Sequence, residues 1–461
     1  MNKIAKIQSD YIELIDSYLK PLGKDAVKDH IRSGNRYSTL PYFSDVLLAY
    51  YESLPNDIYN FWKANAKELH KAIIEQNSLK LCYSGDLSPS NASNLVSKLG
   101  LYVDTVLIPD PVFNITAQLS RIVSDQHYLR ALIRHSLNIM SLAPILTADL
   151  EIPIATIYPV TELYNTEFMK PARIEAKKDT IHYLNTTFDL SLKEEDDPLE
   201  ALKSFKTPKQ LVDILVKPDN LIPDLKTPNI AEGFENSLNQ IGDYAGRFAK
   251  LNAGESLGSY LFGRLLSFHE HFAVCKKYGG EPIYDSPNSW KMFTWFLDDV
   301  FPGGNILTNE GLVANSIGIK DPKWIGKLPP EKLIEARANG ELSEIRGILT
   351  NDINRMRLSP DKDLDKITEI TRNNLKEAFE DHQKKANDIE RTLKRKYKIS
   401  YPLIVFGSLY GYIPNLPYHV AAGISLPFTL ANIYGIKRDK KKLTESANKG
   451  RVIGIMYDST K

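Results

Sequence analysis

Residues 79–111 read LKLCYSGDLSPSNASNLVSKLGLYVDTVLIPDP, and this stretch decides the fold class. Leu79-Lys80-Leu81-Cys82-Tyr83 is a short strand candidate. Ser84-Gly85-Asp86 reads as a turn. Ser88-Pro89 sets an N-cap residue before a proline at the first helical position, which opens a helix through Leu99. Thr105 to Ile108 is a β-prone run stopped by Pro109 and Pro111, as a buried strand would be. Strand, helix and strand in this order form a parallel pair with a crossover, so the stretch predicts a small parallel sheet.

The flanks add mostly helix. Ile4, Ile7, Tyr11, Ile12, Leu14, Ile15 and Leu19 suit an amphipathic helix that ends near Pro21 and Gly23, and the chain reads as helical up to residue 80. Residues 114–143 predict a further helix, and IPIATIYPV over 152–160 another strand. In 190–230 the run Lys193-Glu194-Glu195-Asp196-Asp197 suits solvent, and prolines at 198, 208, 218, 223 and 228 cut helices short. A helical stretch punctuated by Gly254, Gly258 and Gly263 runs to Lys277 and stops at Gly279-Gly280. Glu281 to Tyr284 predicts a short strand, Trp290 to Val300 an aromatic helix, and 330–398 the most helical part. The expected fold is α+β, mainly α-helical. It has a small mixed or parallel sheet in the N-terminal half and a helical C-terminal part with a hydrophobic hairpin. The expected divisions are 1–190, a Pro-rich connector over 191–230, a second block over 231–330, and 331–461.

Composition sets outer limits. Of 461 residues, 43% are hydrophobic and 25% charged, which excludes a wholly disordered, collagen-like or multi-span membrane chain. Lys and Arg number 58 against 57 Asp and Glu, so no global basic field points to nucleic acid. Two cysteines exclude a disulfide scaffold and fit a reducing compartment. Asp10, Glu13 and Asp16 interrupt any apolar core of a signal peptide, so the expected location is cytoplasmic, with peripheral membrane contact left open.

The charge pattern breaks near the C-terminus. Residues 401–436 contain no Asp, Glu, Lys or Arg in a chain one quarter charged. The stretch splits at Ile413-Pro414-Asn415-Leu416-Pro417, with Tyr412 and Tyr418 on either side. Gly407 and Gly411 form a GxxxG pair that lets helices approach closely. Lys437, Arg438, Lys440, Lys441 and Lys442 follow at once. A span needs ~20 apolar residues, more than the first arm has. Three readings remain: a hairpin in the core, an interface with another copy, or an interfacial hairpin whose basic patch faces anionic lipid.

Candidate chemistry is sparse. Asp86, Asp104, Asp110 and Asp285 lie at predicted strand ends, where carboxylates can hold Mg²⁺ or Mn²⁺ and orient water for phosphodiester hydrolysis. The run DTVLIPD over 104–110, with the later helix–strand–Asp285 unit, resembles PIN-type nucleases. That family expects an acidic residue about five turns before the final Asp, where this chain has Ser267. His271 and Cys275 have the i, i+4 spacing of helical metal ligands, whereas His269 points to another face. There is no CxxC, HExxH, Walker A or strand-linked GxGxxG motif. The expected function is therefore an interaction or scaffold-type protein. Its C-terminal hairpin docks on a protein partner, another copy or a membrane through Gly407, Gly411, Tyr412, Tyr418 and the cations at 437–442. The alternative is a metal-dependent phosphodiesterase or nuclease, the one reading that brings in nucleic acid and a metal cofactor.

Overall fold

A computed structural model describes residues 2–22, 25–33, 52–84, 96, 99–100, 102–118, 125–161, 166–221, 229–244, 251–284, 287–301, 307, 311, 314–315, 330–338, 369, 373 and 377. The chain divides into two compact units, Met1–Pro322 and Lys323–Lys461. In the first unit the helices before the sheet are α1 (Lys3–Leu19), α2 (Ala26–Ser33) and α3 (Leu54–Glu75). Strands β1 (Lys80–Ser84) and β2 (Thr105–Pro109) follow, then α4 (Pro111–Gln118), α5 (Asp125–Ser141), the short α6 (Ala143–Leu146) and β3 (Ala155–Tyr158). Next come α7 (Thr166–Thr187), the short α8 (Pro198–Leu202) and α9 (Pro208–Val212), then α10 (Ile230–Tyr244) and α11 (Ala253–Tyr278). Strand β4 (Glu281–Tyr284) and α12 (Pro287–Trp295) lead into a π-helical turn over Phe296–Val300. In the second unit α13 (Pro330–Ala338) is described. The fold is mixed α+β and mainly helical, as the sequence predicts.

The sheet has four parallel strands in the order β3-β2-β1-β4. Three come from the N-terminal half. The fourth, β4, comes from the block the sequence reading sets apart, and it pairs Ser84 with Tyr284 and Cys82 with Pro282. Pro282 has no N–H to donate, which suits an edge strand.

Both edges are closed by one amide side chain each. At β3, Gln8 of α1 donates to the Ile157 carbonyl at 2.8 Å and accepts its N–H at 2.9 Å. At β4, Asn315 accepts the Tyr284 N–H at 3.1 Å and donates to the Pro282 carbonyl at 2.9 Å. Each amide imitates a neighbouring strand and satisfies edge groups that would otherwise invite another chain.

The 190–230 stretch forms short helices with proline at their starts, as its composition requires. It also feeds a core. Leu202, Leu211 and Leu221 are buried with Tyr183, Phe188, Phe234, Leu261 and Phe293. Helix α11 runs through this core, so the glycines read as punctuation have a packing role. A Cβ on Gly254 would lie 1.9 Å from the Leu202 carbonyl oxygen, and one on Gly258 would lie 2.9 Å from a Leu199 methyl. Gly263 has open space around it. Gly279 ends α11 in the left-handed conformation, φ 62°, and its N–H meets the Cys275 and Lys276 carbonyls.

Candidate functional site

The carboxyl edge of the sheet is where open parallel sheets bind ligands, at the point where strand order reverses. Here the chain goes from β1 outward to β2 and β3, then returns to the other side of β1 with β4. Asp110 follows β2 on this edge. It is fully buried, and its two oxygens meet four donors. Oδ2 accepts from the Tyr11 hydroxyl and the Trp62 indole N–H, each at 2.5 Å. Oδ1 accepts from the Val112 and Phe113 backbone N–H groups at 2.9 and 3.1 Å, which caps α4. Burial raises the Asp110 carboxyl above its ordinary value, and these four hydrogen bonds offset only part of that rise. Burial first, then the neighbouring Asp110, holds the Tyr11 phenol protonated as a donor. The lone pairs a metal would need are in use, so Asp110 is a structural carboxylate rather than the ligand the sequence suggests.

Asp104 stands at the opposite end of β2 and accepts the Leu79 N–H at 2.7 Å. Six residue steps of extended chain separate it from Asp110 by ~20 Å, far beyond shared coordination of one metal. The two carboxylates of the DTVLIPD run therefore belong to different ends of the sheet. Asp86 and Asp285 lie outside the described residues, as do Gly407, Gly411, Tyr412, Tyr418, Lys437, Arg438, Lys440, Lys441 and Lys442.

His271 and Cys275 do meet, with Nε2 3.6 Å from Sγ on the buried side of α11. Cys82 of β1 joins them. Its thiol lies beside Cys275, and its backbone lies beside the His271 ring. All three are buried, and both cysteines are free thiols. Burial lowers His271 to about 4. Burial and the adjacent Cys82 raise the Cys275 thiol well above its ordinary value. The trio is a neutral packing contact between β1 and α11. Among the described residues no group of three or more His, Cys, Asp or Glu side chains is arranged to hold a metal ion.

Two surface features escaped the sequence reading. His269, on the other side of α11, places Nε2 2.7 Å from Oδ2 of Asp179 on α7. It faces a groove of about 520 Å³ between α7 and α11 with Glu167, Glu175 and Lys276. Beside α3 lies a second groove of about 600 Å³, lined by Lys63, Lys67, His70, Lys71 and Ile74. Lys277, which lines the first groove, places Nζ 3.5 Å from Nδ1 of His70, which lines the second. Asp179 and His269 are 90 residues apart, so no local pattern announces their contact.

Comparison with protein-family models, with curated proteins and with solved structures finds no match. The resemblance of 104–110 to PIN-type nucleases thus rests on the residues alone, and the separation of Asp104 from Asp110 weakens it. No helix among the described residues is long and apolar enough to cross a membrane.

Proposed function

We propose that this chain is an interaction or scaffold-type protein whose C-terminal uncharged stretch docks on a partner, another copy or a membrane. The observation that carries the reading is the charge gap at 401–436 followed at once by five cations within 437–442. An apolar surface of that size needs a cover. The chemistry-bearing side chains of the first unit lend support, because Asp104, Asp110, His271 and Cys275 are engaged in capping and packing.

The test is co-sedimentation with anionic and neutral vesicles, alongside light scattering, for the intact chain and a chain ending at Ser400. Docking predicts that the intact chain alone binds vesicles or self-associates. Salt-sensitive binding to anionic vesicles identifies the basic run as the anchor. An intact chain that stays monomeric and unbound, with a shortened chain that aggregates, would make 401–436 core and refute the reading.

A metal-dependent phosphodiesterase is the second reading, favoured by the register at the reversal point. Ser84 and Tyr284 are partners at the carboxyl ends of β1 and β4, and the chain continues from them into Gly85-Asp86 and Asp285. In this reading Asp86 and Asp285 hold Mg²⁺ or Mn²⁺, without Asp104 or Asp110. Calorimetric titration with Mn²⁺ tests it: binding lost in both Asp86→Asn and Asp285→Asn supports it, and no binding by the native chain overturns it.

A further inference from the structure

The charges on α3 are largely sorted by side. Two of its three acids turn toward α1: Asp57 accepts from the Tyr18 hydroxyl, and Glu68 pairs with Lys3, while the third, Glu75, borders the groove beside Lys71. That leaves Lys63, Lys67 and Lys71 in a row on the outer side, one every four residues and so ~6 Å apart along the axis. All three are exposed. Lys63 and Lys67 make no ion pair among the described residues, and Lys71 reaches only the exposed Glu75 at 3.7 Å. Tyr59 precedes the row on the same side with 55% of its surface exposed, and Ile74 follows it at 49%. The row borders the 600 Å³ groove, whereas the groove between α7 and α11 is of mixed charge, with Glu167 and Glu175 beside Lys276 and Lys277.

We propose that this face of α3 binds single-stranded nucleic acid, with the lysine row following the phosphates and Tyr59 stacking on a base. A net charge of only +1 makes the attraction local, so the exposed row of Lys63, Lys67 and Lys71, rather than a global field, supplies it. A repeat of ~6 Å suits successive phosphates of an extended strand, whose flexible backbone can settle into an open groove. A bare aromatic ring at the end of a cationic track is the stacking element such sites use. An acidic peptide would meet the lysines and leave the ring without a role.

The experiment is fluorescence anisotropy of labelled oligo-dT with the full chain across a salt series. Removing two phosphate contacts with Lys63→Gln/Lys67→Gln should flatten the slope of log K against log salt by about 1.4. Tyr59→Ala should weaken binding at least ~5-fold at fixed salt, the loss of one stacked base. Lys209→Gln/Lys217→Gln removes two exposed lysines away from the row and should change neither. The proposal is overturned if the α3 variant keeps the native slope, which would place binding elsewhere, such as the 437–442 run. It is also overturned if the control pair flattens the slope equally, or if polyglutamate competes as well as oligo-dT. Unchanged circular dichroism and melting of the variants show that the fold is intact.

Discussion

Replacing Asp110 by Asn separates a structural carboxylate from a catalytic one. The change keeps the shape and one carbonyl oxygen, which can still cap the Val112 and Phe113 N–H groups. The other oxygen becomes an NH₂ facing the Tyr11 hydroxyl and the Trp62 indole N–H, both now 2.5 Å from Oδ2. The tyrosine can rotate its hydroxyl and accept. The indole cannot accept, so a donor is left facing a donor in a fully buried site. An unsatisfied buried donor costs roughly 1–3 kcal/mol, and losing the charge-assisted bonds adds about 1 more. Asp110→Asn should therefore destabilise the protein by about 2–4 kcal/mol in urea unfolding followed by circular dichroism. Trp62→Phe in the Asn background removes the orphan donor and should lower the cost of the Asn change, a favourable coupling in the double-mutant cycle. Strict additivity of the two changes would refute the reasoning, as would a neutral or stabilising Asp110→Asn, the behaviour of a strained catalytic carboxylate.

Other outcomes follow from the same structure. Gly254→Ala should cost about 1–3 kcal/mol, because its methyl would meet the Leu202 backbone, whereas Gly263→Ala should gain up to ~1 kcal/mol of helix propensity; urea midpoints check both. His271 is neutral in the folded state, with its pKa lowered from 6.5 to about 4 by burial. The unfolded chain thus binds the extra proton first, so this stabilisation is complete above pH 6.5 and is lost as pH falls toward 4. It amounts to ~2 kcal/mol at pH 5 against pH 7.5, and His271→Leu should flatten the acid limb of a stability–pH profile by that amount. Gln8→Ala should cost ~2 kcal/mol for two buried backbone groups left unpaired, and hydrogen exchange at Ile157 should speed up with it.

Much of the first unit was legible. The strand candidate at 79–83 and the β-prone runs at 105–108 and 152–160 mark β1, β2 and β3, because buried parallel strands are rich in β-prone side chains. Gly279 announces the end of α11 because the chain there takes a positive φ. What escaped the sequence depends on partners far along the chain. Gln8 and Asn315 close the two sheet edges from 149 and 31 residues away, and nothing local distinguishes them from surface amides. Cys82 reads as an ordinary strand residue until α11 lays Cys275 against it. Asp110 is ambiguous in the sequence for a related reason. An acid between two prolines at a strand end suits a metal or a helix cap equally, and only Tyr11 and Trp62, brought over by α1 and α3, decide for the cap. Helix α7 goes unmarked because its apolar residues do not fall on one stripe and Pro171 interrupts it.

The docking claim is tested most directly by thiol labelling of the full chain carrying Tyr412→Cys. The two native cysteines, Cys82 and Cys275, are buried and give a silent background. If 401–436 is an outward docking surface, the introduced thiol reacts with a maleimide in native buffer at low protein concentration, and a bound vesicle or second copy protects it. A thiol that stays as protected as Cys82 and Cys275 until denaturant is added would contradict the claim and place the stretch in the core.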